Sequence, residues 1–205
     1  MAFSDWTISG YEYGSKGGSA SYTIMTPDNP PYTGSTVMQL VPTDEDHVNL
    51  ELKTTQSDYT PAKDMSIKFG AKMNDAFDAC NGYIGLDCRM NGGSYYRLYI
   101  QSDCNQLGTC AGYIYKDASQ KASQTYGLFM EPNWDWSEWM EFMFRIHGDD
   151  TATILTILYS IDDATHNYDT GGVFRPLVTY TDTSSPYNLS SQFELWAWTE
   201  VAGGA

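Results

Sequence analysis

The chain has 205 residues, and 11 Lys and Arg residues against 26 Asp and Glu residues give it a formal net charge of −15 at pH 7. So few and scattered cations exclude an ordinary nucleic-acid-binding protein, because contact with phosphates requires clustered Lys and Arg. Hydrophobic residues make up 41% of the chain and aromatic residues 15%, too many for an acidic disordered chain. A domain of this length buries about 70% of its unfolded surface, and no break in composition divides the chain. We therefore expect one compact domain over residues 1–205.

Sixteen Tyr and eighteen Gly residues, together with many Thr and Ser residues, are typical of strands and tight turns rather than helices. No apolar segment approaches the roughly 18 residues that a membrane helix requires, so we expect a soluble protein with no membrane partner. The segment 1–6 has neither the basic region nor the apolar core of a signal peptide. The sequence therefore predicts synthesis inside a cell without an export signal.

Apolar and polar residues alternate along much of the chain, as they do in half-buried antiparallel strands. The first predicted strands, at residues 37–41 and 48–52, flank an acidic turn at residues 43–46. In the next, at residues 65–73, every second residue is apolar.

Two hairpins follow. The first joins residues 83–90 to residues 95–101 through Asn91-Gly92-Gly93, which is a strong turn signal. The second begins with Met140, Phe142, Phe144 and Ile146 on one face, turns at residues 147–150 and returns through residues 154–161. The remaining predictions are long loops over residues 162–191 with a short strand near Val178, and a last strand at residues 193–200.

About ten or more strands in roughly 200 residues favour two packed antiparallel sheets. Three segments carry a further likeness: residues 95–100, residues 139–146 with the Gly-Asp turn after them, and residues 193–197. In these segments and in strand order, roughly residues 37–199 resemble the concanavalin A-like lectin and glucanase superfamily, a laminin-G-like jelly roll. The resemblance implies an all-β fold, a two-sheet antiparallel β-sandwich.

Hydrolases of this superfamily carry two or three acids on alternate positions of one strand, in the pattern Glu-x-Asp-x-x-Glu. Here Glu194 and Glu200 share a face of the last strand but lie too far apart. The Gln-x-His pattern of the lyases is also missing, since no His lies two residues after Gln101. We therefore expect no catalytic residues and no enzyme activity. A hydrolase or lyase ranks third among the functions considered for this chain. The nearest acidic set elsewhere, which Pro132 interrupts, is Glu131, Asp135, Glu138 and Glu141.

No residue pattern predicts a cofactor. His47, His147 and His166 lie beside turns or in loops, without a second ligand at the spacing of a metal site. Many jelly rolls of the resembled superfamily bind calcium through loop carboxylates, so a calcium site stays open. The acidic segments that offer oxygen ligands lie at residues 44–46, 149–150 and 162–163.

The four cysteines lack the spacing of a zinc or redox motif. Cys88 shares the apolar face of the first hairpin, so we expect it in the core, and without an export signal free thiols are favoured. Cys104 and Cys110 bracket a loop that a disulfide would close in an oxidising environment, and their bridging stays open.

The polar face of the first hairpin is the candidate binding surface. Aromatic rings interleaved with charged groups suit stacking on a sugar, and they are equally common in protein interfaces. The second hairpin would extend this face if the two hairpins share a sheet, whereas covering of the rings by long loops is the alternative. For Trp196 and Trp198 the same two alternatives, an open binding surface and covering by long loops, both stay open. The candidate residues are Tyr83, Asp87, Arg89, Tyr95, Arg97, Tyr99 and Gln101 from the first hairpin, and Trp139, Glu141, Arg145 and His147 from the second.

A chain that begins Met-Ala-Phe-Ser-Asp-Trp, rich in Tyr, Thr and Gly and strongly acidic, resembles the virion accessory proteins of tailed bacteriophages. Virion proteins are made in the host cytoplasm without signals and act outside the cell, which suits a lectin-like fold. We therefore expect a non-enzymatic protein on the virion surface, a capsid decoration or fibre subunit that docks on other virion proteins. Adhesion to a glycan and formation of a homo-oligomer are open to it. The alternative function is that of a glycan-binding, lectin-like module.

Overall fold

The computed structural model describes residues 6–13, 20–25, 37–42, 47–54, 64–71, 80–91, 93–103, 109–126, 140–160, 174–187 and 193–201. Within these ranges every regular element is a strand. The described part of the chain holds no helix with the length and apolar character needed to cross a lipid bilayer. The strands are β1 (Trp6–Tyr13), β2 (Ala20–Met25), β3 (Val37–Pro42), β4 (His47–Thr54), β5 (Met65–Ala71), β6 (Cys80–Asn91), β7 (Ser94–Asp103), β8 (Thr109–Lys116), β9 (Ser119–Tyr126), β10 (Met140–Gly148), β11 (Thr153–Ser160), β12 (Arg175–Asp182) and β13 (Glu194–Val201).

The strands form two large sheets and a small one. The first has seven strands in the order β1-β4-β13-β6-β7-β8-β9, the second has four in the order β12-β11-β10-β5, and β2 pairs with β3. All of these pairings are antiparallel. The last strand, β13, lies between β4 and β6, so the C-terminal part of the chain completes the larger sheet. The predicted all-β, two-sheet antiparallel sandwich and both predicted hairpins are confirmed.

The seven-stranded and four-stranded sheets bury one apolar core between them. Leu86 and Leu98 face it from the larger sheet, and Phe142, Phe144 and Leu155 face it from the smaller one, all fully buried. Along β11 burial alternates residue by residue, which is the period of two that predicted the strands. Each such side chain contributes roughly 1.5–3 kcal/mol by leaving water, so this set holds the two sheets together.

The two hairpins lie in different sheets. The pair β6–β7 belongs to the seven-stranded sheet, and the pair β10–β11 belongs to the four-stranded sheet. Since the outer faces of a sandwich look in opposite directions, the second hairpin cannot extend the polar face of the first. The condition on which Glu141, Arg145 and His147 were predicted to extend that face is therefore not met, and Trp139 lies outside the described residues.

Four strands lack a sequence pattern strong enough to predict them: β1, β2, β8 and β9. In β9 the side chains are exposed except for Ala122, which packs against the core, and for Tyr126, whose burial is not described. This strand is held at the sheet edge by backbone pairing with β8. A strand that buries almost no side chain shows no apolar alternation, which is why the sequence did not reveal it.

Candidate functional site

The outer face of the seven-stranded sheet carries most of the residues that the sequence singled out. Leu86 and Leu98 point to the core, so their neighbours along β6 and β7 point outward. The aromatic side chains and Arg97 are half-buried there, whereas Asp87 beneath them is buried. We call this surface the aromatic face, and its residues are Tyr83, Asp87, Tyr95, Arg97, Tyr99, Tyr113, Tyr115 and Trp196.

Strand pairing brings together aromatic residues that are distant in sequence. Trp196 on β13 lies opposite Gly85 on β6, and Gly85 in turn lies opposite Tyr99 on β7. Tyr99 also lies opposite Tyr113 on β8. Because neighbouring strands are about 4.8 Å apart, the rings form a continuous row across the middle of the sheet.

Arg97 lies in this face between two rings and a carboxylate. Its Nε and Nη2 atoms donate to the two oxygens of Asp87 at 2.7 and 2.6 Å. Its guanidinium carbon lies 5.0 Å from the ring centre of Trp196 and 5.2 Å from that of Tyr95. Two parallel N–H···O bonds between planar groups are a strong and directional ion pair. The guanidinium is thereby held in one orientation.

Asp87 also positions the indole of Trp196. The Nε1 atom of Trp196 donates to Oδ1 of Asp87 at 3.1 Å. Asp87 as a residue is 4% exposed, so these bonds are shielded from water and are stronger than they would be at an open surface. Burial of the guanidinium lowers the pKa of Arg97, but the hydrogen bonds and the charge of Asp87 outweigh it and raise that pKa overall. Arg97 therefore keeps its positive charge beside Asp87.

Gly85 makes room for the indole. A Cβ atom at position 85 would lie 2.2 Å from Cζ2 and 2.3 Å from Cε2 of Trp196. Real carbon atoms do not approach so closely, so only glycine allows the ring to lie against the sheet here. In the sequence Gly85 gave no sign of this role, because its partner is more than a hundred residues away.

Tyr99 is the centre of the ring cluster. Its ring centre lies 4.8 Å from that of Tyr113 and 5.7 Å from that of Tyr115, both stacked, and 5.8 Å from that of Trp196. Burial raises the pKa of Tyr99, and a hydrogen bond with Tyr115 raises it further. The phenol therefore stays protonated, and it can both donate and accept hydrogen bonds.

Neutral polar groups border the rings. Nε2 of Gln101 donates to the hydroxyl of Tyr83 at 3.2 Å, and the hydroxyl of Tyr115 donates to Oε1 of Gln120 at 3.0 Å. Amides and hydroxyls beside half-exposed rings can bind a molecule that presents both apolar faces and hydroxyl groups.

Two acidic residues that are far apart in the sequence lie beside each other in this face. Glu194 on β13 is the register partner of Asp87 on β6, and directly opposed residues have Cβ atoms about 4.5–5.5 Å apart. Along the sequence, the acid that shares a strand face with Glu194 is Glu200, and the neighbour across strands is not apparent. Both oxygens of Asp87, however, already accept hydrogen bonds from Arg97 and Trp196.

Arg89 does not belong to the aromatic face, and its prediction as a ligand- or partner-binding residue of that face was wrong. The register of β6 and β7 shifts between Cys88 and Asn91, and Arg89 has a φ of 50°. This bulge turns the side chain into the sandwich, where it is 2% exposed. There it donates to the Thr153 hydroxyl at 2.6 Å, to the Tyr187 carbonyl at 2.6 Å and to the Gly148 carbonyl at 2.9 Å.

The second hairpin places its candidates on or near the other side of the sandwich. Arg145 is exposed on the outer face of the four-stranded sheet, and His147 is half-buried on the same strand. Glu141 is 1% exposed and forms an ion pair with Lys68 at 2.7 Å. None of the three contributes to the aromatic face.

Tyr113, Tyr115 and Trp196 complete the face, and the first two were not among the residues predicted for it. The alternation of Tyr113 and Tyr115 with Gly112 and Ile114 repeats the pattern of Tyr95, Arg97 and Tyr99 on β7. That repetition was the one signal that would have found them.

Metal ligands are not clustered in the part of the chain that the structure describes, where no group of three or more His, Cys, Asp or Glu side chains is placed to hold an ion. Oδ1 of Asp149 accepts from the backbone amides of Thr151 and Ala152 at 2.8 and 3.2 Å, which stabilises its turn. The acidic segments at residues 44–46 and 162–163 lie outside the described residues. Cys88 is a free thiol in the core, as predicted, and burial raises its pKa. Cys104 also lies outside the described residues, and its bridging to Cys110 stays open.

Fold and site together define an antiparallel β-sandwich with an aromatic, partly charged surface on its larger sheet. No family model and no curated protein matches the chain. Among solved structures, it is similar to a Bacillus licheniformis β-glucanase, with 8% identity, a TM-score of 0.47, and coverage of 98% of this chain and 80% of that one. A native glycosidic hydrolase is similar with 11% identity, a TM-score of 0.47, and coverage of 95% and 77%. The CBM2 module of an evolved Dit protein from Lactobacillus casei BL23 phage J-1 is similar with 7% identity, a TM-score of 0.39, and coverage of 98% and 99%.

Proposed function

We propose that the protein is a non-enzymatic adhesion protein whose aromatic face binds carbohydrate. The observation that carries this proposal is the cluster of Trp196, Arg97, Asp87 and Tyr99 on an outer sheet face, held by hydrogen bonds and ring contacts before any ligand arrives. Rings that are already oriented lose little conformational freedom on binding, so more of the contact energy remains as affinity.

The chemistry of the face suits a sugar. A pyranose ring has apolar C–H faces, which stack on aromatic rings, and equatorial hydroxyls, which need donors and acceptors at the rim. Trp196 and Tyr99 supply ring surface, while Tyr83, Gln101 and Tyr115 supply amide and hydroxyl groups around it.

The absence of enzyme activity is part of the proposal and rests on the state of Asp87. Glycoside hydrolysis requires one carboxyl group that donates a proton and a second that acts as base or nucleophile. Asp87 is bound through both oxygens to Arg97 and through one to Trp196, so it is poorly placed to take either role. We expect purified protein to leave polysaccharides at their original length, as size-exclusion chromatography of the glycan after incubation would check.

The central test is glycan binding by variants of the aromatic face. Trp196→Ala should weaken binding to a retained polysaccharide roughly 30-fold, the effect of a buried aromatic anchor worth about 2 kcal/mol. Arg145→Ala, on the outer face of the opposite sheet, is the matched control and should bind as the parent does. Affinity electrophoresis against a polysaccharide panel, run with calcium and with chelator, measures both. Equal binding by the two variants would place the ligand elsewhere.

A second candidate is the docking of this protein on other virion proteins of a tailed bacteriophage, as a capsid decoration or fibre subunit. Tyr, Trp and Arg are the residues most enriched at the centres of protein interfaces, and the aromatic face contains all three. A net charge of −15 would keep assembled particles apart in solution.

Light scattering separates the two candidates. A monomer that binds a polysaccharide through the aromatic face supports adhesion. A defined oligomer, or a monomer that ignores every polysaccharide and associates only with virus particles, supports docking. If the protein docks on virion proteins, Trp196→Ala should reduce assembly, and neither the parent nor the variant should bind a polysaccharide.

A further inference from the structure

Three features of the aromatic face bear on the charge of a glycan that it can bind. They are a cation that is already paired, acidic residues at paired strand positions, and neutral groups around the rings. The first feature is that the cation, Arg97, is already paired with a carboxylate. Arg97 gives both Nε and Nη2 to Asp87, and its side chain is 37% exposed while that of Asp87 is 6% exposed. Turning the guanidinium towards a ligand carboxylate or sulfate would leave the buried Asp87 carboxylate without its counter-ion, and such a separation is strongly unfavourable. Arg97 is therefore a poor receptor for an anionic sugar.

A second feature is the balance of charges along the strands. Residues at alternate positions of a strand share a face, and the register aligns the strands of this sheet row by row. Among the paired residues whose side chains the structure describes, Arg97 is the basic residue in line with the aromatic face, and Asp87 and Glu194 are the acidic ones.

A third feature is that the remaining groups around the rings are neutral. The rim consists of phenols and amides, and Tyr99 at its centre stays protonated because burial and a hydrogen bond with Tyr115 raise its pKa. Uncharged hydroxyls and amides pair with sugar hydroxyls without a charge on either partner. They offer no compensation for the desolvation of a ligand anion.

We propose that the aromatic face selects uncharged polysaccharides and excludes polyanionic ones, such as uronate-bearing or sulfated chains. The proposal rests on the pairing of Arg97 with Asp87, on the acidic residues at paired strand positions and on the neutral groups around the rings. The inference rests on the proposed glycan binding and adds the charge class of the ligand. The exclusion is electrostatic, so it weakens as salt shortens the range of the charges, which is about 10 Å at 0.1 M and about 3 Å at 1 M.

The test uses matched polymers that share a backbone and differ in charge. Three such pairs are hydroxyethylcellulose with carboxymethylcellulose, dextran with carboxymethyl dextran, and pullulan with carboxymethyl pullulan. In low salt we expect at least one neutral member to bind about tenfold more tightly than its anionic partner. In about 1 M salt that difference should shrink to about twofold, whereas a steric cause would leave it unchanged.

Two variants make the test specific to this face. Glu194→Gln removes one charge beside Asp87 and should reduce the preference for the neutral polymer severalfold at low salt. Asp150→Asn removes one charge from an exposed turn in the opposite sheet and should leave the preference as it is. Equal effects of the two variants would show a response to total charge and would overturn the proposal.

The outcomes also separate this inference from the function on which it rests. If an anionic polymer binds as tightly as its neutral partner, or more tightly, charge selection is wrong and glycan binding stands. If none of the six polymers binds, the proposed function fails and the inference fails with it.

Discussion

At the scale of single residues, Gly85 allows the aromatic face to form. The substitution Gly85→Ala would place a carbon about 2.2 Å from the indole of Trp196, so the ring must move and its hydrogen bond to Asp87 must break. We expect the free energy of unfolding to fall by about 1–3 kcal/mol, as for other overpacked sites. Binding of a polysaccharide should fall as well, and affinity electrophoresis measures it.

Gly112→Ala is the matched control for that prediction. Gly112 faces the core, and a Cβ atom there would lie 2.8 Å from Cδ2 of Leu177. Urea unfolding should show a comparable loss of stability, while glycan binding by the folded protein should be unchanged. A loss of binding in both variants would mean that lowered stability, and not the position of the indole, is responsible.

Arg89 is a second residue whose side chain has a structural role, because it bonds to several parts of the fold. It joins the larger sheet to the smaller one through Thr153 and Gly148, and to the segment after β12 through Tyr187. Arg89→Met fills similar space but leaves the buried Thr153 hydroxyl and two partly buried carbonyl groups without that donor, so we expect a loss of about 3–5 kcal/mol in the free energy of unfolding. Urea denaturation measures this loss.

Arg145→Met provides the comparison for Arg89→Met. Arg145 is exposed on the outer face of the four-stranded sheet, and substitutions at such positions change stability by about 0.5 kcal/mol or less. If the two variants were equally stable, the bonds of Arg89 to the opposite sheet would contribute nothing net.

At the scale of elements, an ion pair ties the edge strand β5 to β10. Lys68 on β5 lies 2.7 Å from Glu141 on β10, whose side chain is 1% exposed. Lys68→Met removes the cation and leaves a buried carboxylate, so we expect about 3 kcal/mol of destabilisation at neutral pH. Thermal and urea unfolding measure it.

The double variant Lys68→Met/Glu141→Gln tests the reason for that loss. With the buried charge removed, more than half of the lost stability should return, because a neutral amide needs no counter-ion. A double variant no more stable than Lys68→Met would show that packing of the lysine chain, including its contact with Phe174, carries the effect instead.

Strand irregularity at the element scale explains why Arg89 was misplaced. Strict alternation from Asp87 predicts that position 89 lies on the outer face. The register shift between Cys88 and Asn91, with a φ of 50° at Arg89, reverses the side of the sheet on which the residue lies. A bulge of one residue has no reliable signature in a single sequence.

At the scale of the whole molecule, a buried carboxylate between the two large sheets makes the stability of the fold depend on pH. Asp182 at the end of β12 is fully buried; it accepts from the Tyr96 hydroxyl at 2.6 Å and pairs with Lys116 at 2.8 Å. Burial raises the pKa of Asp182, but the bonds from Lys116 and Tyr96 outweigh it, so the pKa lies below its ordinary value of 3.8.

The sign of this shift predicts acid sensitivity. Since the folded state holds the proton less tightly than the unfolded state, the contribution of Asp182 is complete above about pH 4. It is lost as the pH falls through the folded-state pKa. Urea unfolding between about pH 7 and pH 2 should therefore show a steeper decline for the parent than for Asp182→Asn, which is less stable at pH 7. Parallel curves would contradict the assignment, and Asp150→Asn should follow the parent.

The sequence predicted the sandwich, its two hairpins and the residues of its core because alternation with a period of two is a local property of each strand. It also identified Tyr83, Asp87, Arg97 and Tyr99 as neighbours, since they lie on one hairpin. Tertiary structure decided which strands became neighbours: β13 beside β6 brought Trp196 over Gly85 and Glu194 beside Asp87, and β8 brought Tyr113 to Tyr99. It also separated the two hairpins into different sheets. Pairing between distant strands depends on how the whole chain buries its apolar faces, and no single segment contains that information.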